Sequence, residues 1–156
     1  MKWIKNVVKD VVKKYKTNDP LELASLLKIH VIPWDLHEEI NGFYKYDRRN
    51  KYIFYNCNLS NEMQRFVCAH ELGHSLLHLK VNTPFLRANT LLSVDKIEVE
   101  ANTFAVELLL PNEILLEYSH TNLSIYDIAK IFGIPNEVAH LKGDIFFSKN
   151  TKHTFL

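Results

Sequence analysis

Residues Phe66 to His78 read "FVCAHELGHSLLH", and the reading of this stretch decides the fold. Side chains four apart on an α-helix stand one turn above each other. His70 and His74 therefore share a line on a surface otherwise filled by Phe66, Val67, Ala69, Leu72, Leu76 and Leu77. Polar residues at this density among core-like neighbours need a reason, and the pattern H-E-x-x-H supplies one. Two imidazoles offer nitrogens to one metal ion, while the glutamate between them, one position round the helix, can reach a water bound there. The competing reading is a helix that carries two surface histidines and no ion.

A catalytic zinc needs a third protein ligand and keeps one position open for water. His78 lies eight residues past His70, about 12 Å along a straight helix, and cannot share an ion with it. The longer metzincin pattern requires glycine and histidine where this chain has Leu77 and Lys80, so that branch is excluded. The best source is "DKIEVEANTFAVELLLP", residues 95–111. Glu98 and Asn102 are four apart and face one way. Glu98 can then ligate the ion while Asn102 hydrogen-bonds a ligating imidazole. Glu100 is turned by about 200° from Glu98, so one of the two faces the site, and Glu100 stays open as the alternative ligand. Ala101 and Ala105 would let this helix approach the first closely. Glu98 also has a purely structural reading, as the partner of Asp95 in a helix-start capping box. With His70, His74 and Glu98 around one Zn2+ ion, the ion would activate a water and Glu71 would take its proton as general base.

Outside these two segments the chain is ordinary. Its 156 residues are enough for one domain with a hydrophobic core. A formal net charge of +1 gives no global field for nucleic acid or a membrane surface. No apolar run approaches the roughly 20 residues of a membrane span. Cys57 and Cys68 form no disulfide framework, and the start "MKWIKNVVKDVVKK" has no secretory pattern, which points to a reducing, cytoplasmic setting.

Residues of about 2–16 form an amphipathic helix, with Ile4, Val7, Val8 and Val11 on one face and lysines on the other. Asp19-Pro20 caps a short helix, "PLELASLLK". "IHVIP", "GFYKY" and "KYIFYN" read as three strands, with "DRRN" turning between the last two. Helix follows from Ser60 to about Leu79, then a loop with "VNTPF", then helix from about Asp95 to Leu110, which Pro111 stops. "NEILLEY", "SIYDIAKIF" and "PNEVAHLK" read as shorter helices. The expectation is α+β, one domain over 1–156, mostly helical, with a small sheet of about three strands before the histidine helix. A catalytic core covers about 29–118, and C-terminal helices cover about 123–142.

The segments "RFVCAHELGHSLLH" and "EVEANTFAVELLLP" together resemble the ImmA/IrrE metallopeptidases, a compact branch of the gluzincin zincins. The flanking "NGFYKY…KYIFYNCNLSNEMQ" and "IAKIFGIPNEVAHL" extend the likeness from about Asn41 to Leu141. "LLLP" stands for the usual "LLMP", and Ile134-Pro135 for a common Val-Ser. The resemblance implies a single zinc held by His70, His74 and Glu98, with Asn102 supporting an imidazole. It implies an endopeptidase acting in the cytoplasm on helix-turn-helix repressors of phages, mobile elements or stress regulons. Similar enzymes bind the substrate backbone along a strand before the histidine helix, and "KYIFYN" is the candidate. His78, often a histidine in the family, would orient Glu98 or the following loop. A transition-state donor would come from Tyr44, Tyr52, Tyr55, His78, Tyr118 or His120.

Two other classes compete. "SIYDIAKIFGIPNEVAHLKGD" also resembles a helix-turn-helix, although Asn136, Glu137, His140 and Lys142 make a recognition helix without arginine for groove reading. A zinc-sensing or zinc-stapled binding module would have no use for Glu71 and would close its site with a fourth ligand. Cys68, two residues before His70 and on the far side of the helix, is a small hydrophobe rather than that ligand.

Overall fold

A computed structural model describes residues 1–79, 86 and 88–142. The loop containing "VNTPF" and the final Gly143-Asp144 of the helix-turn-helix-like segment lie outside the described residues. The first helix, α1 (Lys2–Tyr15), buries Ile4 and Val8 and leaves its lysine face to solvent. It ends where Lys16 turns left-handed at φ 61°. In α2 (Pro20–Leu26) the Asp19 carboxylate accepts from the N–H groups of Leu21 and Glu22, and Pro20 loses nothing as the first helical residue.

Three strands follow, β1 (His30–Trp34), β2 (Gly42–Asp47) and β3 (Asn50–Asn56). Arg48 and Arg49, at φ 49° and 66°, make the two-residue turn between β2 and β3. Positive φ at both central positions matches the twist of a hairpin. The order in the sheet is β1-β3-β2, with β3 parallel to β1 and antiparallel to β2. That order corrects one expectation. Tyr52 pairs with His30 on one side and Lys45 on the other, so β3 ("KYIFYN") has both edges occupied and cannot receive a substrate strand. The outer strands are β1, which packs on α2, and β2, which packs on the histidine helix.

The histidine helix is α3 (Asn61–Leu77), started by the Ser60 hydroxyl accepting from Met63 N–H. Every residue from Phe66 to Ser75 is buried. A helix enclosed on all sides is a core helix, so the reading of two surface histidines fails. Its main neighbour is α4 (Lys96–Leu109). Gly73 permits the close crossing: a Cβ there would lie 3.1 Å from Phe104 Cβ. The sheet covers α3 from the other side, with Ile53 and Tyr44 buried. The Tyr44 hydroxyl donates to the Leu79 carbonyl at 2.9 Å.

Beyond α4 come α5 (Asn112–Glu117) and α6 (Ile125–Ile131). Ser124 and Asp127 start α6 with a reciprocal capping box. "PNEVAHLK" does not form the expected helix. After Gly133, at φ 71°, the chain makes turns and one short 3-10 helix (Ala139–Lys142) that packs on α4 and α6. Burial of Val138, Ala139 and Lys142 sets the path of this segment instead. Among the described residues, the second helix of a helix-turn-helix is therefore missing. Lys142 is buried against Glu107 and cannot reach a phosphate. No helix among the described residues is long and apolar enough to cross a membrane.

Candidate active site

The candidate site lies where α3 crosses the first turns of α4. One turn of α3 separates His70 from His74, and their Nε2 atoms lie 3.1 Å apart. From α4, Glu98 reaches both, with Oε2 3.3 Å from His70 Nε2 and Oε1 3.5 Å from His74 Nε2. All three side chains are buried. Asp95, just before α4, makes no side-chain capping bond. Glu98 is therefore not engaged in a capping box; its carboxylate points at the histidines.

Asn102, one turn further along α4, has Oδ1 2.8 Å from His70 Nδ1. On His74 the outer nitrogen, Nδ1, lies 3.0 Å from His78 Nδ1. His78 Nε2 in turn lies 2.7 Å from Glu100 Oε2. Glu100 thus faces away from the two Nε2 atoms and toward His78, and His78 touches His74 and Glu100 rather than Glu98. Glu71 is fully enclosed, and neither of its carboxylate oxygens has a hydrogen-bond partner.

The charges in this pocket oppose burial. Burial pushes the Glu98 carboxyl up, but hydrogen bonds and charge from His70 and His74 outweigh it and hold it down at about 2. Burial lowers His74 to about 4, against the pull of Glu98. It opposes protonation of His70 as well, yet the Glu98 hydrogen bond and the charges of Glu71 and Glu98 raise that histidine. Burial lifts Glu71 to about 8. Two carboxylates enclosed with two imidazoles call for positive charge between them.

The donor set suits a metal cation. Tetrahedral ligands bonded at about 2.0–2.2 Å stand about 3.3–3.6 Å apart; here the two Nε2 atoms stand 3.1 Å apart, and each faces a different oxygen of Glu98, at 3.3 and 3.5 Å. A looser grouping of His70, Glu71 and His74 falls within 4.8 Å. Glu98 comes within 3.5 Å of both imidazoles, whereas Glu71 hydrogen-bonds neither.

Residues 24–142 match the family model described as the IrrE N-terminal-like domain, Peptidase_M78. The chain belongs to the M78 peptidase family. This M78 chain is 34% identical over 144 residues to metallopeptidase ImmA of Bacillus subtilis (strain 168), covering 90% of this chain and 84% of ImmA. It is 59% identical over 139 residues to a Bacillus phage phi105 protein named uncharacterized immunity region protein 2, covering 89% of this chain and 88% of that one. It is a metallopeptidase by family, and the family implies a metal ion, for which the buried His70-Glu71-His74 group is available.

Other candidate residues of this M78 peptidase have structural occupations. Tyr44 is buried, its hydroxyl engaged with Leu79 and pushed up to about 12 by burial. Tyr52 stacks on His30, and Tyr118 meets Phe132 edge-on. Burial lifts the Cys68 thiol to about 12, which keeps it a packing residue. The pairing of His78 with Glu100 had one partial signal in the sequence, the i, i+4 spacing of His74 and His78. Nothing in the sequence marked Glu100 as its partner.

Proposed function

We propose that the protein is a zinc-dependent endopeptidase that cleaves a helix-turn-helix repressor of a phage, mobile element or stress regulon in the cytoplasm. The observation that carries the chemistry is the buried triangle of His70 Nε2, His74 Nε2 and a Glu98 carboxylate, with the unpartnered Glu71 carboxylate beside it. His70, His74 and Glu98 would hold one Zn2+. When bound, zinc lowers the pKa of a coordinated water to about 7 and polarises the scissile carbonyl.

The chain's own residues do the rest. Glu71 accepts the proton of the attacking water on a carboxylate oxygen and returns it to the leaving amine nitrogen. Its lack of any hydrogen-bond donor leaves both oxygens free for that proton. A cation nearby offsets the burial that otherwise lifts this carboxyl to about 8. Asn102 holds the His70 ring through Nδ1, and enclosure by α3, α4 and the sheet keeps bulk water from the Glu98 carboxylate.

The substrate class follows from the resemblance to ImmA/IrrE proteins and from the likeness to a phage immunity-region protein. The substrate backbone would pair with β2, the outer strand that packs on α3, beyond Gly42, whose carbonyl already accepts from Leu86 N–H at 2.8 Å. The test is to purify the protein, measure its metal content, and incubate it with a purified helix-turn-helix repressor, chosen from the genes flanking its own where one is encoded there. One zinc per chain and a discrete cut are expected from the wild type. Glu71→Gln should keep the zinc and lose the cut. Cleavage by Glu71→Gln at the wild-type rate would remove the proposed base, and a chain that takes up no zinc would remove the proposed cofactor.

A further inference from the structure

The outer nitrogen of His74 is not left to solvent. Its Nδ1 lies 3.0 Å from His78 Nδ1, and His78 Nε2 lies 2.7 Å from Glu100 Oε2, with all three side chains buried. The proton positions along this chain follow from one end. An ionised carboxylate only accepts, so the hydrogen on the final link belongs to His78 Nε2. A neutral His78 then has a bare Nδ1, which can only accept. With both groups in these forms, the proton between the two Nδ1 atoms is carried by His74. That leaves a lone pair on His74 Nε2, the atom facing His70 and Glu98.

We propose that His78 and Glu100 are positioning residues. Their hydrogen-bond chain, Glu100 to His78 to His74, fixes the His74 imidazole in the Nδ1–H form so that its Nε2 is presented as a metal ligand. The inference rests on the zinc reading above, but it assigns work to two residues outside the ligand triangle. On α3 the spacing of four residues stacks His78 over His74. On α4, Glu100 is turned about 200° from Glu98. Glu98 therefore addresses the inner nitrogens of the two imidazoles while Glu100 addresses the outer relay. His70 is served more simply, by Asn102 Oδ1 accepting from its Nδ1. The two imidazoles thus have different supports, a neutral amide for one and a carboxylate acting through a second histidine for the other. A carboxylate behind a histidine raises the basicity of the ligand it supports. Lys96 Nζ, 3.9 Å from Glu100 Oε1, is largely exposed and leaves the buried oxygen to His78.

Two measurements on the zinc-loaded full chain test this. Proton-nitrogen correlation spectra of the histidine rings should show His78 protonated at Nε2 and bare at Nδ1. A proton on His78 Nδ1, alone or with one on Nε2, overturns the relay without any variant being made. Zinc affinity, measured by competition with a chromogenic chelator, should weaken about 10–100-fold in His78→Phe and about tenfold in Glu100→Gln. Affinity unchanged in both variants while the wild type binds one zinc would overturn the relay and leave the zinc reading standing. A loss in Glu100→Gln with none in His78→Phe would also overturn it, because Glu100 would then act without His78. Failure of the wild type to bind zinc would overturn both.

Discussion

At the scale of single residues, the site divides into what helix periodicity encodes and what it does not. His70, Glu71 and His74 are legible because a rise of 1.5 Å and a turn of 3.6 residues fix their relation within one helix. The approach of Glu98 to both imidazoles was also legible, through its spacing from Asn102 and the small residues on the same face. The contact between Glu100 and His78 was not. It depends on where α4 crosses the last turn of α3, and spacing within either helix does not contain that crossing. The structure places both glutamates of "EVE" in buried polar contacts, on different histidines. This gives a graded expectation. Glu100→Ala should weaken zinc within the range of about 10–100-fold typical of a supporting acceptor, and Glu98→Ala should weaken it well beyond that range. Chelator competition on the two variants measures the difference directly. A larger loss from Glu100→Ala would transfer the ligand role to Glu100.

At the scale of elements, the capping residues were easier to read than strand order. Asp19-Pro20 announced α2, and the structure shows the Asp19 carboxylate receiving two backbone N–H groups and the Arg65 guanidinium at 2.6 Å. The position of β3 between β1 and β2 was out of reach, because its parallel pairing with β1 joins residues about twenty apart that no local turn connects. The last expected helix failed for a related reason: its burial against α4 sets its shape. Asp19 offers the sharper test of element energetics. Burial pushes its carboxyl up, but the Glu22 N–H and the charge of Arg65 outweigh this and leave it below its ordinary value of 3.8. A carboxyl lowered by folding stabilises the folded state above that ordinary value and loses the contribution as pH falls through the lower folded value. Asp19→Ala should cost about 1–2 kcal/mol near neutral pH, the worth of a helix cap. Urea unfolding should show the gap between variant and wild type narrowing as the pH drops below 3.8. A gap independent of pH would mean that the charge of Asp19 contributes nothing.

At the scale of the whole molecule, α1 precedes the family match, which begins at residue 24, yet it is tied into the same core. Ile4 and Val8 join the hydrophobic cluster, and Lys5 Nζ stands 3.6 Å from Glu107 Oε1. Glu107 also pairs with the fully buried ammonium of Lys142. One carboxylate of α4 therefore joins the first helix to the last described turn, on the helix that also presents Glu98 and Glu100. Lys5 is partly exposed and can turn to water if the carboxylate is lost, whereas Lys142 cannot. Removing one partner of a buried pair strands the other charge and costs about 3–5 kcal/mol, while replacing both by apolar groups of similar volume is often neutral. Glu107→Ala should accordingly shift the denaturant midpoint sharply downward. The double variant Glu107→Leu with Lys142→Met should recover most of the loss, and zinc affinity in the folded protein should not change, since neither residue touches the histidines. A single variant that unfolds within about 1 kcal/mol of the wild type, the worth of an exposed pair, would mean that Lys142 reaches solvent once released. The closure of the chain around α4 would then rest on apolar packing, with Ile4 and Val8 from the first helix and Val138 and Ala139 from the last turns.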